Sequence, residues 1–326
     1  MGVDAPRLAV VIPAFNAGAT LDEALTSLAA QEWTEWECLV VDDGSNDATS
    51  GLAQGWALRE PRIRVLSVGR NRGVAVARNL GVSGTRGDVI AFLDADDVLR
   101  PDALAAYADG LARVPGAGMV YAVAESFGNG VSGQRIGRGE PGRPVGLLRQ
   151  LARFNVVAAS ATAVRRAALG TEPFPEGLPL QFEDLACWLR VARRWPALFL
   201  ARTVCRYRSH SGSFLAGLER RRGRAEFEVA QANFLRRELG DGDARERAIL
   251  GEGLAFRAAM ALLQAMSAMR RGEHAEGRRW LHAASTIAGG RKALAGIVPL
   301  AIRERRRIAR RLDPPLSLDP APEAPQ

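Results

Sequence analysis

Cysteine is scarce in this sequence: Cys38, Cys187 and Cys205 are the only three in 326 residues, and they stand far apart. They fit no zinc spacing, and an odd count argues against a disulfide framework. A reduced, cytoplasmic chain is therefore expected. Long hydrophobic runs are lacking as well. Nothing reaches the roughly 18 consecutive apolar residues of a membrane-spanning helix. Only the short stretch Leu8–Pro13 follows a polar start, so no signal peptide is expected and the protein reads as soluble or peripheral. The basic C-terminal stretch has no interleaved aromatic residues, so a nucleic-acid partner is not expected. Pro13-Ala14-Phe15-Asn16 stands where a dinucleotide-binding oxidoreductase needs Gly-x-Gly-x-x-Gly, which excludes that class. The absence of a Gly-x-x-x-x-Gly-Lys stretch excludes a P-loop nucleotidase.

What is present is an ordinary globular composition, 47% hydrophobic and 25% charged. The length suits one large domain with an appendage, or two domains. The net charge of +8 is uneven. Much of it lies in Arg303-Glu304-Arg305-Arg306-Arg307 and Arg310-Arg311, whereas the first hundred residues are closer to balanced and hold a cluster of aspartates. Such asymmetry predicts an early cation-binding site and a late anion-facing helix.

Strand-like and helical patterns alternate through the first half. Leu8–Ile12, Cys38–Val41, Ile63–Ser67 and Val89–Leu93 read as strands. Helices are expected from Thr20, the head of a Thr-x-x-Glu capping box with Glu23, and after the turn Asp42-Asp43-Gly44-Ser45. Others are expected over Gly73–Ser83 and from Pro101. This order predicts an α/β fold with a mostly parallel central sheet flanked by helices. Its ligands would sit at the carboxyl ends of the strands, where Asn16, Asp42-Asp43, Asp94 and Asp96 should gather. The Gly- and Arg-rich residues 125–146 read as a surface loop. A strand near Ala161–Arg165, a helix over Glu183–Arg194 and a strand ending near Tyr207 follow. Residues 1–214 thus read as the main domain. An all-α C-terminal extension spans 215–312, and five prolines mark 313–326 as a disordered tail.

Asp94-Ala95-Asp96 lies directly after a buried strand. Two carboxylates one residue apart at a strand end can point the same way and share Mg²⁺ or Mn²⁺. A plain polar turn is the competing reading of these residues. Glu183-Asp184 opens a helix, where an acidic cap worth about 1 kcal/mol competes with a catalytic role. Asn71 and Arg72 precede a helix whose N-terminal amides favour anions. A solvated surface arginine is the rival reading of Arg72.

Three stretches occur in order: VVIPAFNAGATLDEALTSLAAQ (10–31), LVVDDGSNDAT (39–49) and NRGVAVARNLGVSGTRGDVIAFLDADD (71–97). With QFEDLACWLRVA (181–192) and RYRSHSGS (206–213), they resemble the family-2 inverting glycosyltransferases, which have the GT-A fold. The resemblance covers about residues 8–213 and is specific in combination, though each motif is loose alone. It implies a nucleotide site at Pro13, Ala14, Phe15, Asn16, Asp42, Arg72, Asp94 and Ala95. Asp42 would accept from the base, Asp43 would hold the turn, and Arg72 would meet the diphosphate. Asp96 would bind the metal, with His210 as a second ligand. Arg78, Glu183 and Arg208 would support the site, and Asp97 would cap the next helix. Asp184 would be the general base, a role worth about 10²–10⁴-fold in rate.

The implied reaction is inverting transfer from a nucleotide diphosphate sugar, by family frequency a uridine diphosphate sugar. The acceptor would be a saccharide, a lipid-linked group or a protein, in cell-surface polysaccharide or glycoconjugate synthesis. A glycoside hydrolase also uses paired carboxylates, but the parallel α/β order and the resemblance disfavour it. A non-catalytic nucleotide-sugar-binding protein remains the alternative. Lys292–Arg311 reads as a basic amphipathic helix, suited to the inner face of an anionic membrane or to packing on a protein.

Overall fold

The computed structural model describes residues 7–128, 132–178, 182–210 and 223–311. The chain divides into two compact units, Met1–Arg221 and Arg222–Gln326. The boundary expected at 214–215 and the proline-rich tail at 313–326 lie outside the described residues.

The first unit is built on a mixed sheet. β1 (Leu8–Ala14) is buried along its whole length, which explains its unbroken apolar run. It lies parallel to β2 (Trp36–Asp42) on one side and to β4 (Val89–Phe92) on the other. β3 (Ile63–Ser67) extends the parallel half beside β2. The register sets Ala14 opposite Asp42 and Val11 opposite Phe92, so these strands carry their following loops to a common edge. The second half contains β5 (Val98–Leu99), β6 (Met119–Phe127), β9 (Thr162–Arg165) and β10 (Ala197–Arg208). The sheet order is β3-β2-β1-β4-β9-β6-β10-β5. Sequence order reverses between β1 and β4, and ligands sit outside the carboxyl ends of strands at such a reversal. Parallel pairing holds across the first four strands. Beyond them β9 runs antiparallel to both β4 and β6, while β10 lies parallel to β6.

Helices cover the sheet: α1 (Leu21–Ala29), α2 (Thr49–Arg59), α3 (Val74–Gly84), α4 (Ala103–Arg113), α5 (Leu148–Arg153), α6 (Arg166–Leu169) and α7 (Glu183–Arg194). In α1 the buried Leu21, Ala24, Leu25 and Leu28 recur at helical spacing. The expected capping box does not form there. The Thr20 side chain caps no amide, its hydroxyl lying 3.4 Å from the Ala17 carbonyl, and Glu23 instead pairs with Arg208. The nine-residue β6 was not anticipated. Its final residues, with β7 (Arg135–Ile136) and β8 (Pro144–Val145), order parts of the expected 125–146 loop. Two-residue strands are too short to leave a periodic signal.

The second unit is helical: α8 (Arg224–Gly240), α9 (Ala244–Arg270), α10 (His274–Ala288) and α11 (Arg291–Arg311). Small residues let the helices meet, with Ala232, Ala258, Ala261, Ala265, Ala283 and Ala284 buried around Trp280 and Ile287. α9 is long and apolar enough on average to cross a membrane, although it holds no unbroken apolar run. Within this unit it is a core helix, with 44% of its most apolar window buried. Its buried Arg257 donates to Glu228 (2.8 Å) and Gln231 (2.6 Å) of α8.

The α3–β1 contact positions the site described below. A Cβ added at Gly81 would stand 2.2 Å from Val11 Cγ1, so the absence of a side chain allows α3 to lie close on the sheet. Overpacking a tight contact costs about 1–3 kcal/mol. Gly81→Ala should lower the unfolding free energy by about that amount in a urea titration. An unchanged midpoint would show slack between α3 and β1.

Candidate active site

Two loops at the carboxyl edge of the parallel strands are stitched together. Asn16 accepts from the Asn46 amide (3.0 Å), and its own amide donates to Ser45 Oγ (3.0 Å). The Ala17 and Gly18 amides donate to Thr49 Oγ1 (2.7 Å) and Asp47 Oδ2 (2.9 Å). Asn16 adopts φ of 50°, a left-handed conformation that asparagine tolerates in turns. Phe15, beside it, is 46% exposed.

Asp42 and Asp43 are both buried and both hold backbone in place. Asp42 accepts from the Ser45 amide (3.0 Å) and closes its own turn. Asp43 accepts from the amides of Arg72 (2.9 Å) and Gly73 (2.7 Å), fastening the loop that opens α3. The side chain of Arg72 stays exposed.

The centre of the site is Arg78, which α3 carries into the interior. One terminal nitrogen donates to Asp94 Oδ1 (2.8 Å), just after β4, and the other to Glu183 Oε1 (3.0 Å), at the start of α7. Burial would lower the guanidinium pKa, but Asp94 and Glu183 outweigh it and hold Arg78 above its ordinary range. The Arg78 head lies 5.5 Å from the centroid of Phe174. The neighbouring Asn79 fixes Phe174 by bonding both its carbonyl (2.8 Å) and its amide (3.0 Å). Phe174 packs edge-on against Phe92 and Trp188, giving this polar cluster an apolar floor.

The end of β10 closes over the aspartate loop. The Arg208 amide donates to Asp97 Oδ1 (2.8 Å), and its side chain donates to the Asp96 carbonyl (2.7 Å) and pairs with Glu23. Asp97 is fully buried and does not cap α4, which begins six residues later. Burial first, then Asp94 and Asp96, push its carboxyl well above the usual range. Asp96 remains partly exposed, with Oδ2 3.1 Å from His210 Nε2. Its pKa is raised by burial and by Asp94, and lowered by His210. Ala95 between them is buried. Gln181 and Ser211–Ser213, the outer residues of the two later motifs, lie outside the described residues.

Asp184 faces a different environment. Burial and the adjacent Glu183 raise its pKa to about 7, opposed by Arg78, the Leu185 amide and Asn155. Asn155 Nδ2 donates to Asp184 Oδ2 (3.1 Å). The structure therefore gathers Asp94, Asp96, His210, Glu183, Asp184 and Arg78 around one region. Asp42, Asp43 and Arg72 belong to the adjoining loops.

Three contributors escaped the sequence reading. Ser160 accepts from the Asp94 amide (3.0 Å), Asn155 touches Asp184, and Glu23 anchors Arg208. Ser160 and Asn155 lie in an irregular segment without periodicity, and Glu23 matched a capping pattern that explained it too easily.

Residues 9–170 match the model of Glycosyl transferase family 2. A 99-residue stretch is 44% identical to the succinoglycan biosynthesis protein ExoO of Rhizobium meliloti (strain 1021), covering 30% of this chain and 28% of that protein. The chain spans about two fifths or less of the length of the curated relatives it matches. Two solved structures share its fold. One is S. aureus TarS 1–349 in complex with UDP-GlcNAc, at TM-score 0.55 and 18% identity over 83% of this chain and 89% of that one. The other is the mannosyltransferase PcManGT from Pyrobaculum calidifontis in complex with GDP-Man and Mn²⁺, at TM-score 0.55 and 20% identity over 86% of each. At these identities the likeness establishes the fold: GT-A-like α/β with a helical C-terminal region.

Removing one partner of a buried ion pair leaves an uncompensated charge and costs about 3–5 kcal/mol. Arg78→Met should lose about that much stability in chemical denaturation, and Arg78→Lys less, because one ammonium keeps the charge but cannot reproduce the fork. Equal stability of wild type and both variants would rule out a structural role for the bridge.

Proposed function

We propose that this chain, whose residues 9–170 belong to glycosyl transferase family 2, transfers a sugar with inversion from a nucleotide diphosphate to an acceptor hydroxyl, using Mg²⁺ or Mn²⁺. The carrying observation is the arrangement of two acid centres around Arg78. One is Asp96 with His210, exposed enough to meet a ligand; the other is Asp184, whose pKa is raised to about 7.

The donor set of the first centre fits a hard divalent cation. It offers one carboxylate oxygen and one imidazole nitrogen, and among the described residues no larger cluster of His, Cys, Asp and Glu is close enough to cage an ion. A cation shared with phosphate and water oxygens suits that set. When bound, it would neutralise charge on the departing diphosphate. The loops around Asn16, Asp42 and Arg72 would seat the nucleotide, with Asp94 and Ala95 beside the sugar and ribose. Asp43 would act by fixing the Arg72 loop, and Arg208 by holding the aspartate loop. Asp184 would take the acceptor's proton as that oxygen bonds to the anomeric carbon. The bond to the diphosphate oxygen breaks in the same step, and its electron pair leaves with the nucleotide. A single displacement of this kind inverts the anomeric centre and needs no covalent intermediate.

UDP and GDP sugars are the first donors to test, because the two structural neighbours hold one of each. The succinoglycan relative directs attention to cell-surface polysaccharide and glycoconjugate acceptors, whether saccharide, lipid-linked or protein. The reading places the reaction in the cytoplasm, at or near the inner membrane face.

A thermal-shift screen of nucleoside diphosphates with and without Mn²⁺ tests this. Binding to the folded state raises Tm, and the Mn²⁺-dependent part of the shift should vanish in Asp96→Ala. Asp184→Asn should keep the shift but lose about 10²–10⁴-fold in kcat. Wild-type transfer should fall as pH drops through about 7, because a protonated Asp184 cannot accept a proton. Nucleotide binding without transfer to any acceptor would support a binding protein instead, and full activity in Asp184→Asn would remove the base assignment.

The peripheral-membrane reading rests on α11. Val298 and Ile302 are exposed beside Met266 of α9, with Arg305 and Arg306 next to them. Apolar side chains rimmed by cations suit an anionic bilayer surface. Wild type should sediment with phosphatidylglycerol vesicles and not with phosphatidylcholine vesicles, and Val298→Glu with Ile302→Glu should abolish this. Equal sedimentation of wild type and the double variant would exclude this face.

A further inference from the structure

Asn155 lies near the start of the connection between α5 and the 3-10 turn Ala159–Ala161. Phe154 follows α5 as its C-cap, its amide bonded to the Gln150 carbonyl (2.8 Å). Asn155 then uses both ends of its side chain. Its Oδ1 accepts from the Val157 amide (3.3 Å), and its Nδ2 donates to Asp184 Oδ2 (3.1 Å). The first bond selects the orientation of the amide. A flipped side chain would turn its oxygen to the carboxylate and its NH₂ to a backbone donor, losing both contacts.

The same segment reaches the other acid centre. Five residues on, Ser160 accepts from the Asp94 amide. One short connection thus braces Asp184 through Asn155 and the metal-side aspartate loop through Ser160. Asp184 otherwise stands next to Glu183, which Arg78 already holds. Among the described residues, Arg78, Cys187 and Tyr207 also interact electrostatically with it. Of these Arg78 is the cation, and its two terminal nitrogens donate to Glu183 and Asp94. Among the described residues, Asn155 is thus the side chain that donates to Asp184, while the Leu185 amide holds the other carboxylate oxygen.

We propose that Asn155 is a positioning residue for the transferase reaction: it sets the orientation of the Asp184 carboxylate and stabilises its anionic, proton-accepting form. A hydrogen bond from a fixed neutral amide favours the charged carboxylate without adding a charge that would compete for Arg78. This rests on the reading of Asp184 as the base, and the test separates the two. The pH dependence of kcat is measured for wild type, Asn155→Ala, Asn155→Asp and Asp184→Asn, with the melting temperature and diphosphate binding of each recorded.

Asn155→Ala should move the acidic limb up by about one pH unit, the change expected when a donor to an ionised group is lost. At pH 6.5 its kcat should be about tenfold below wild type, with KM for the donor little changed. Asn155→Asp preserves shape but sets a second carboxylate against Asp184, so its limb should lie higher still, with activity recovering at alkaline pH. A limb that stays at the wild-type pH in both variants overturns the proposal, and so does a loss of kcat at all pH values without a shift. If Asn155→Ala fails to fold, the isosteric Asn155→Asp decides alone. An unimpaired Asp184→Asn variant overturns the base assignment itself. An inactive Asp184→Asn with unshifted Asn155 variants overturns only the role of Asn155.

Discussion

Arg78 brings a single positive charge to a buried position between two carboxylates, Asp94 after β4 and Glu183 at the head of α7. These acids lie 89 residues apart in sequence, and neither belongs to the helix that supplies the arginine. Withdrawing a guanidinium from water is costly, and only close geometry on both sides offsets it. The site therefore tolerates little rearrangement. If α3 moved from β1, Arg78 would lose its partners and two acids would face each other across a poorly solvated space.

Several features read as local details serve this arrangement. Gly81 allows α3 to approach the sheet, and Asn79 grips Phe174 so that its ring lies near the Arg78 head. Asp43 holds the loop that begins α3. Once Arg78 has engaged Glu183, the next residue, Asp184, is left among poorly hydrated surroundings with a raised pKa. An acid of that kind is suited to accept a proton near neutrality. Asp96 differs because Arg78 pairs with Asp94 and not with it, so its carboxylate stays partly exposed beside His210.

The aspartate loop, the α7 acids and the motif around His210 stood out through the resemblance to family-2 glycosyltransferases, because a strand end or a helix start alone reads equally well as a turn or a cap. The helices of the second unit were legible as long runs rich in helix-forming Ala, Leu, Arg and Glu. β6 went unread, although it is nine residues long, and β7 and β8 carry only two residues each. Asn155 and Ser160 were invisible for a physical reason. They act from irregular backbone through single hydrogen bonds, and nothing in their neighbours' composition marks such contacts. Glu23 shows the opposite failure: a capping pattern was present, yet the stronger partner, Arg208, came from 185 residues away.

By itself, the sequence determined that strands and helices alternate and that acidic residues follow strand ends. It also determined that a basic helix lies near the C-terminus, because hydrophobic period and turn chemistry are local properties. Only the tertiary structure decided which partner each acid meets. Asp42 and Asp43 became fasteners of backbone, Asp97 turned inward to an amide, Asp94 and Glu183 were joined by one arginine, Asp96 came to lie beside His210, and Asp184 beside Asn155. All are carboxylates with nearly the same intrinsic chemistry. Burial, and the partner that long-range packing brings within hydrogen-bond distance, separates their roles.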